Sequence, residues 1–476
     1  MARIFALLLP VILAQPLVAE AQVALPGVRL PGGGGLQGLP LNAPLNAGRT
    51  LSGVTNDLDA RRLADLRMVR VRDLIRTHRR EIEADPNGAA ILRGEVVAFS
   101  PTDAALEAAR AAGFSVLRER VLDGLDARVV VLQAPAGVAT RRALQQLRGL
   151  DPAGAYDFNH LYMDGGVVGR VGTSAGASAV EAASARGAGT ALDASAVGDA
   201  SGGLAAQTSA GGDVVAGHAD TAVRVGLIDG GVDTAHAVFR DIVIHQHGCA
   251  GTPVPAAHGT AVASLMIGRS AQFHGAAPGS ELYAADVYCG LPTGGAVDAV
   301  VDALAWLVRE RVPVINVSLV GPPNAMLENV VRMVIARGHV IVAAVGNDGP
   351  AAPPLYPASY PDVIGVTAVD AHQRALLEAC RGKQVKFSAP GADMSAANPS
   401  QTYAVVRGTS FAAPIVAGLL AEALSQPDRA AAQHAVADLA AHAVDLGAPG
   451  PDPIYGFGLV GGDLHPELAL VGRRSN

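Results

Sequence analysis

At 476 residues, half of them hydrophobic, the chain is long enough for two or three domains and carries the apolar side chains for a sizeable core. Its formal charge is −7, its cations are nearly all arginine, and no long run of one sign occurs, so nucleic acid is excluded as an expected partner. Aromatic residues make up only 4% while Gly, Ala and Val abound, a mixture that suits close-packed α/β layers and long connectors alike.

The opening stretch MARIFALLLPVILAQPLVAEAQ has one early cation, an apolar run broken by Pro10 and Pro16, and then Ala19-Glu20-Ala21. It reads as a signal peptide over 1–21, being too short and proline-broken to span a bilayer. The expected destination is therefore secreted or periplasmic, with no membrane contact once the signal is removed. Residues 22–55, rich in Gly and Pro, read as a spacer, and 56–86 as a helical segment capped by Asn56 or Asp57 and stopped by Pro86. Its arginine-rich face, mixed with Asp and Glu, reads as solvated.

A regular block follows. GEVVAFS (94–100), FSVLRERVL (114–122), ARVVVLQAP (127–135) and AYDFNHLYM (155–163) read as strands, with helices over 102–113 and 138–150. The order is β-α-β-β-α-β, so 94–165 is expected to be a small ferredoxin-like α+β domain. Residues 166–220 carry Ala, Gly, Ser and Thr with few large apolar side chains, cannot bury a core of their own, and read as a protease-sensitive linker.

From 221 to about 470 short β-branched runs such as VRVGLID, VPVINVSLV and HVIVAAVGN alternate with helical stretches such as AVDAVVDALAWLVRE. That alternation predicts an α/β domain with a parallel sheet and helices on both faces. Function in such sheets collects beyond the carboxyl ends of the strands. Asp229 stands at the end of the first strand, His258 at a helix start in AHGTAVASL, Asn347 at a strand end in AAVGNDGP, and Ser410 at a helix start in VRGTSFAAPIVAG. A serine before an apolar helix is by itself a good cap. It becomes a nucleophile only with a base, a partner for the base, and donors for the oxyanion, and Asp229, His258 and Asn347 supply those types.

These stretches, with VSLVG (317–321), YPASYPDVIGV (356–366) and IYGFGLV, resemble the subtilisin family of serine proteases over about 222–465. The resemblance implies a catalytic Asp229-His258-Ser410 triad, with Asn347 as oxyanion donor and Ser318, Leu319, Val320, Gly321, Ala344, Gly346 and Leu355 lining the substrate. It also implies that 94–165 is a pro-domain that assists folding and inhibits until it is cut off, with the first cut expected around Met163 to Gly166. Where many family members carry glycine or another small residue, this chain has Val320, Val345 and Leu355. The expected specificity is therefore for small apolar residues before the scissile bond of polypeptide substrates. Calcium often stabilises the family, but no dense Asp/Asn/Glu loop stands out, so no cofactor is required and calcium is optional. Two other readings stay open at this point: a catalytically idle binding or chaperone protein, and the acid-acting Ser-Glu-Asp peptidases, against which His258 argues. Three cysteines allow three single pairings or a reduced chain; Cys249 with Cys289, flanking one predicted αβ unit, is the expected pair.

Overall fold

The computed structural model describes residues 60–169 and 222–466, with side chains from Arg67 onward. The expected signal peptide, the spacer, nearly all of the linker and the residues after 466 lie outside the described residues. Helix α1 (Ala60–Thr77) ends well before Pro86, and strand β1 (Ile82–Ala84) follows it. The segment expected to be helical to Pro86 therefore divides. Ile82 is fully buried with Val71, Ala90, Leu92 and Leu161, and Asp85 accepts from Asn87 N and Ala89 N, at 2.8 and 2.7 Å, closing the turn into β2.

The small unit continues with β2 (Ala90–Phe99), α2 (Asp103–Ala111), β3 (Ser115–Leu122), β4 (Ala127–Gln133), α3 (Thr140–Leu150) and β5 (Ala155–His160). Thr102 caps α2 by accepting from Ala105 N at 3.1 Å. The strands order as β1-β2-β4-β3, with β5 antiparallel to β2. Side chains alternate along a strand, and here both faces are used. Val96, Ala98, Val130 and Leu132 pack under α2 and α3, while Val97, Val129 and Val131 pack against the larger unit.

Leaving β5, the chain forms β6 (Met163–Asp164) and β7 (Val167–Val168), each paired to the larger unit. That unit runs β8 (Arg224–Asp229), β9 (Ile244–His247), α4 (Ala257–Ile267), a hairpin of β10 (Arg269–Ser270) and β11 (Phe273–His274), β12 (Glu281–Asp286), α5 (Val297–Arg309), β13 (Val314–Val317), β14 (Leu319–Val320), α6 (Ala325–Ala336), β15 (Val340–Ala344), β16 (Ile364–Val369), β17 (Val385–Pro390), β18 (Ala392–Asn398), β19 (Thr402–Arg407), α7 (Thr409–Glu422) and α8 (Arg429–Ala441). Seven strands make one parallel sheet in the order β17-β16-β15-β13-β8-β12-β9. Its central strands are largely apolar, as in VINV of β13 and VIVAA of β15, because both faces are covered. Val225, Leu227, Val314 and Val342 face α4, α7 and α8, and Ile228, Ile315, Val317 and Ile341 face α5 and α6. Two edge strands, IHQH in β9 and VKFSAP in β17, lack long β-branched runs and escape sequence reading. Cys249 and Cys289 form a disulfide, and Cys380 is free and buried.

A polar cluster joins the two units. Arg118 on β3 pairs with Glu95 at 2.6 Å and with Asp298 in the first turn of α5 at 3.1 Å, and Asn159 donates to the same carboxylates at 2.8 and 3.0 Å. Removing Arg118 leaves Asp298 buried without its cation. Arg118→Ala is expected to destabilise the uncleaved chain by about 1–3 kcal/mol, discounted because the arginine is partly exposed, as read by chemical denaturation. An unchanged midpoint and slope would show that the cluster is energetically neutral.

Candidate active site

The carboxyl ends of β8, β13 and β15 open on one edge of the sheet, beside the starts of α4 and α7. Asp229 closes β8, is buried, and accepts from Gly230 N at 2.6 Å. His258 is the second residue of α4, and its Nδ1 lies 2.9 Å from both carboxylate oxygens of Asp229. Bonding through Nδ1 fixes the ring and leaves Nε2 facing the cleft. That nitrogen is buried and has no hydrogen-bond partner among the described residues. Gly259 is what lets α4 come so near, since a Cβ there would strike the carbonyl oxygen of Gly230.

Burial alone would lower the pKa of His258, but the Asp229 charge, the bond to it and the nearby Asp164 charge outweigh that, and the imidazole is pushed from its ordinary 6.5 up to about 9. Burial pushes the Asp229 carboxyl up as well, with the His258 charge pulling against it.

Ser410 is the second residue of α7 and is fully buried. Its Oγ donates to the carbonyl of Ser318 at 3.3 Å. In return Ser318 Oγ donates to the Ser410 carbonyl at 3.0 Å, and Asn316 Nδ2 donates to Ser318 Oγ at 2.8 Å. The Ser410 carbonyl is free for that bond because Pro414, four residues on, has no N–H to give it. On the other side of the helix start, Thr409 N donates to Asn347 Oδ1 at 3.0 Å and Thr409 Oγ1 accepts from Gly346 N at 3.2 Å. With its oxygen so engaged, Asn347 turns its Nδ2 into the cleft.

Segment 161–169 occupies that cleft. Leu319 and Val320 pair with Asp164 and Met163, and Val406 and Arg407 pair with Val168 and Val167. Between the two short ladders, Asn347 Nδ2 donates to the carbonyl of Gly165. A Cβ placed on Gly165 would lie 3.4 Å from Ser410 Oγ, and one on Gly166 3.0 Å from His258 Nε2. The structure thus brings Asp229, His258, Ser410 and Asn347 around the Gly165–Gly166 peptide. Leu319 and Val320 form the pairing edge, whereas Ser318 braces the helix start of Ser410. Gly321 exchanges backbone bonds with Tyr356 at 2.9 and 3.0 Å, Ala344 ends β15, Val345 is buried, and Leu355 packs against Gly346, the residue before Asn347. Thr409, Asn316, Phe411 and Tyr162 escaped sequence reading; Thr409 and Phe411 flank Ser410 directly, while nothing in the sequence marks the other two.

Among the described residues, one grouping of metal-ligand types occurs, Cys249, Asp286 and Cys289. Its sulfurs are joined to each other and so are not thiolate ligands.

Residues 220–458 match the model of the subtilase family, Peptidase S8. Subtilisin DY of Bacillus licheniformis is 32% identical over 246 residues, covering 50% of this chain and 88% of that protein. Subtilisin of Bacillus pumilus is 34% identical over 224 residues, 44% of this chain and 79% of that protein. Fervidolysin from Fervidobacterium pennivorans, described as a keratinolytic enzyme related to subtilisin, superposes with a TM-score of 0.59 over 81% of this chain and 62% of its own, at 18% identity, a likeness of fold. The chain belongs to the subtilase family of serine endopeptidases.

Proposed function

We propose that this endopeptidase is exported, is made as a zymogen, and cuts its own chain first. Ser410 is the nucleophile, His258 the general base and then acid, Asp229 the group that orients and stabilises the imidazolium, and Asn347 the oxyanion donor. The observation that carries this reading is the bond from Asn347 Nδ2 to the carbonyl of Gly165, on a segment paired with the enzyme on both sides as an extended substrate would be.

In the reaction the Ser410 hydroxyl turns from the Ser318 carbonyl to His258 Nε2, gives up its proton there, and Oγ adds to the Gly165 carbonyl carbon. Negative charge grows on the Gly165 oxygen, already held by Asn347, and the first-turn N–H of Ser410 serves as its second donor. His258 then passes the proton to the Gly166 nitrogen as the C–N bond breaks. Water, deprotonated by the same ring, hydrolyses the acyl ester and restores Ser410.

Tyr162 supports docking of the same segment. It is fully buried, its N–H donates to Gly295 O and its hydroxyl to Pro322 O, each at 2.8 Å. Once the bond is cut, residues 94–165 remain seated through β6 and the sheet face and act as the inhibitor. Export rests on the apolar N-terminal stretch; among the described residues no helix is long and apolar enough to cross a membrane. Val320, whose Cγ2 stands 4.0 Å from where a Cβ on Gly165 would lie, together with the buried Val345 and Leu355 favours a small residue before the bond.

Expressed side by side, wild type is expected to shorten and Ser410→Ala to stay full-length by intact mass. Asn347→Ala should slow the same step by about 10²–10³-fold, because an oxyanion donor acts on the transition state. Equal processing of all three would overturn the reading. The charges facing His258 are Asp229 and, from the docked segment, Asp164. Only the unprotonated ring is a base, so a pKa pushed up to about 9 means that self-cleavage climbs with pH toward 9. Asp164→Asn removes one of the charges that raise it and should move the climb to lower pH. Timed gel assays from pH 6 to 10 check this; a flat profile, unmoved by the variant, contradicts it.

A further inference from the structure

We infer that the cleft is built for a glycyl-glycine bond, with glycine on both sides of the bond that is cut and Gly165–Gly166 the first to be cut. This rests on the proteolytic reading above and names its substrate class as glycine-rich polypeptide.

On the carbonyl side, a Cβ added to Gly165 would lie 3.1 Å from Asn347 Nδ2, 3.4 Å from Ser410 Oγ and 4.0 Å from Val320 Cγ2. The first of these is closer than ordinary van der Waals contact, and the atom it presses on is the oxyanion donor, which would have to give way. Nor is there room further out. Val320, Val345, Leu355 and Cys380 are all buried and belong to one packed cluster. Leu355 lies against Cα of Gly346, so closely that a Cβ there would collide with its Cδ1 and come within 3.4 Å of Cys380 Sγ. Val320 stands beside the position a side chain before the scissile bond would take, and Leu355 and Cys380 pack behind Gly346, next to the Asn347 that such a side chain would meet.

The amine side is tighter. A Cβ on Gly166 would collide with Cε2 of Phe411, stand 2.8 Å from its Cζ and 3.0 Å from His258 Nε2. Phe411 is fully buried in the main core, so its ring has nowhere to withdraw. From a third side, a Cβ on Gly408 would lie 3.0 Å from the Cα of Gly166. The restriction is confined to these two positions, since Met163, Asp164, Val167 and Val168 beside them carry side chains and pair in register. Further Gly-Gly pairs stand at 202–203 and 211–212 in the Ala/Gly/Ser-rich stretch that follows. They would serve as later trimming sites for the same specificity. Each cut consumes one water and leaves a glycine carboxylate and a glycine α-amino group.

The test compares full-length wild type with Gly166→Ala, Gly165→Ala, Ser410→Ala and, as a control, Gly149→Ala, whose added methyl group meets open space. Intact mass and N-terminal sequencing follow the chains over time. The expected result is a new N-terminus at Gly166 in wild type and in Gly149→Ala at equal rates. Gly166→Ala and Gly165→Ala should slow cleavage at that bond by about 100-fold, the scale expected when reacting atoms are displaced by about an ångström. A second arm does not depend on how those variants fold. Peptides spanning Tyr-Met-Asp-Gly-Gly-Val-Val, and versions with alanine at either glycine, are given to the wild-type enzyme after it has processed itself. A hundredfold lower kcat/KM for both alanine peptides supports the inference. Cleavage of the Gly166→Ala chain at the wild-type rate, or of the alanine peptides as fast as the parent, overturns the inference and leaves the proteolytic reading intact. A wild-type chain that stays full-length, like Ser410→Ala, overturns both.

Discussion

The site depends on a single carboxamide with two ends. An amide offers an acceptor and a pair of donors, and Asn347 has its acceptor taken by the Thr409 backbone. Its donor end can then face only the cleft, toward the Gly165 carbonyl. The same contact ties the end of β15 to the start of α7, and the Thr409 hydroxyl repeats the tie through Gly346 N. Ser410 and Asn347 are thereby fixed to each other through the main chain and the buried Thr409. The Asn316–Ser318–Ser410 chain fixes the same helix start from the opposite side, through the carbonyl that Pro414 leaves unclaimed.

What brings these groups to one place is the parallel sheet. All seven of its strands point the same way, so the residues that end β8, β13 and β15 meet along one edge however far apart they lie in the sequence. This was the legible part. Apolar runs of strand length alternating with amphipathic helices announce a covered parallel sheet, and polar residues at the ends of such runs announce its edge. The Asp229–His258 contact follows from that logic, as does the return of Ser410 to the same edge. Bulky residues at 320, 345 and 355 were likewise visible as substitutions into positions that are often small.

Other features were not legible because they depend on register and on neighbours far away in the chain. Residues 155–163 look like one continuous strand, yet β5 stops at His160. Leu161 bridges to Ala296 and Tyr162 bonds Gly295, so partners on the larger unit redirect the backbone into the cleft. Helix α1 ends early for a similar reason, since Ile82 is worth more in a buried cluster than in a solvated helix. Edge strands such as IHQH are polar because one side of them is exposed, which erases the pattern by which strands are recognised. Phe411 reads as the first apolar residue of a helix, and its position over Gly166 appears only once the segment is docked.

The small unit's sheet, apolar on both faces, ties its folding to its docking. Val97, Val129 and Val131 would stand in water if the larger unit were taken away. While one covalent chain runs through Gly165 and Gly166, the larger unit is always at hand and docking is intramolecular. Two separate chains would lose that advantage, and the association would become bimolecular. The balance between docked and released states would then be set by dilution as much as by any contact in the interface, so crowded and dilute surroundings would see different fractions of the larger unit standing alone.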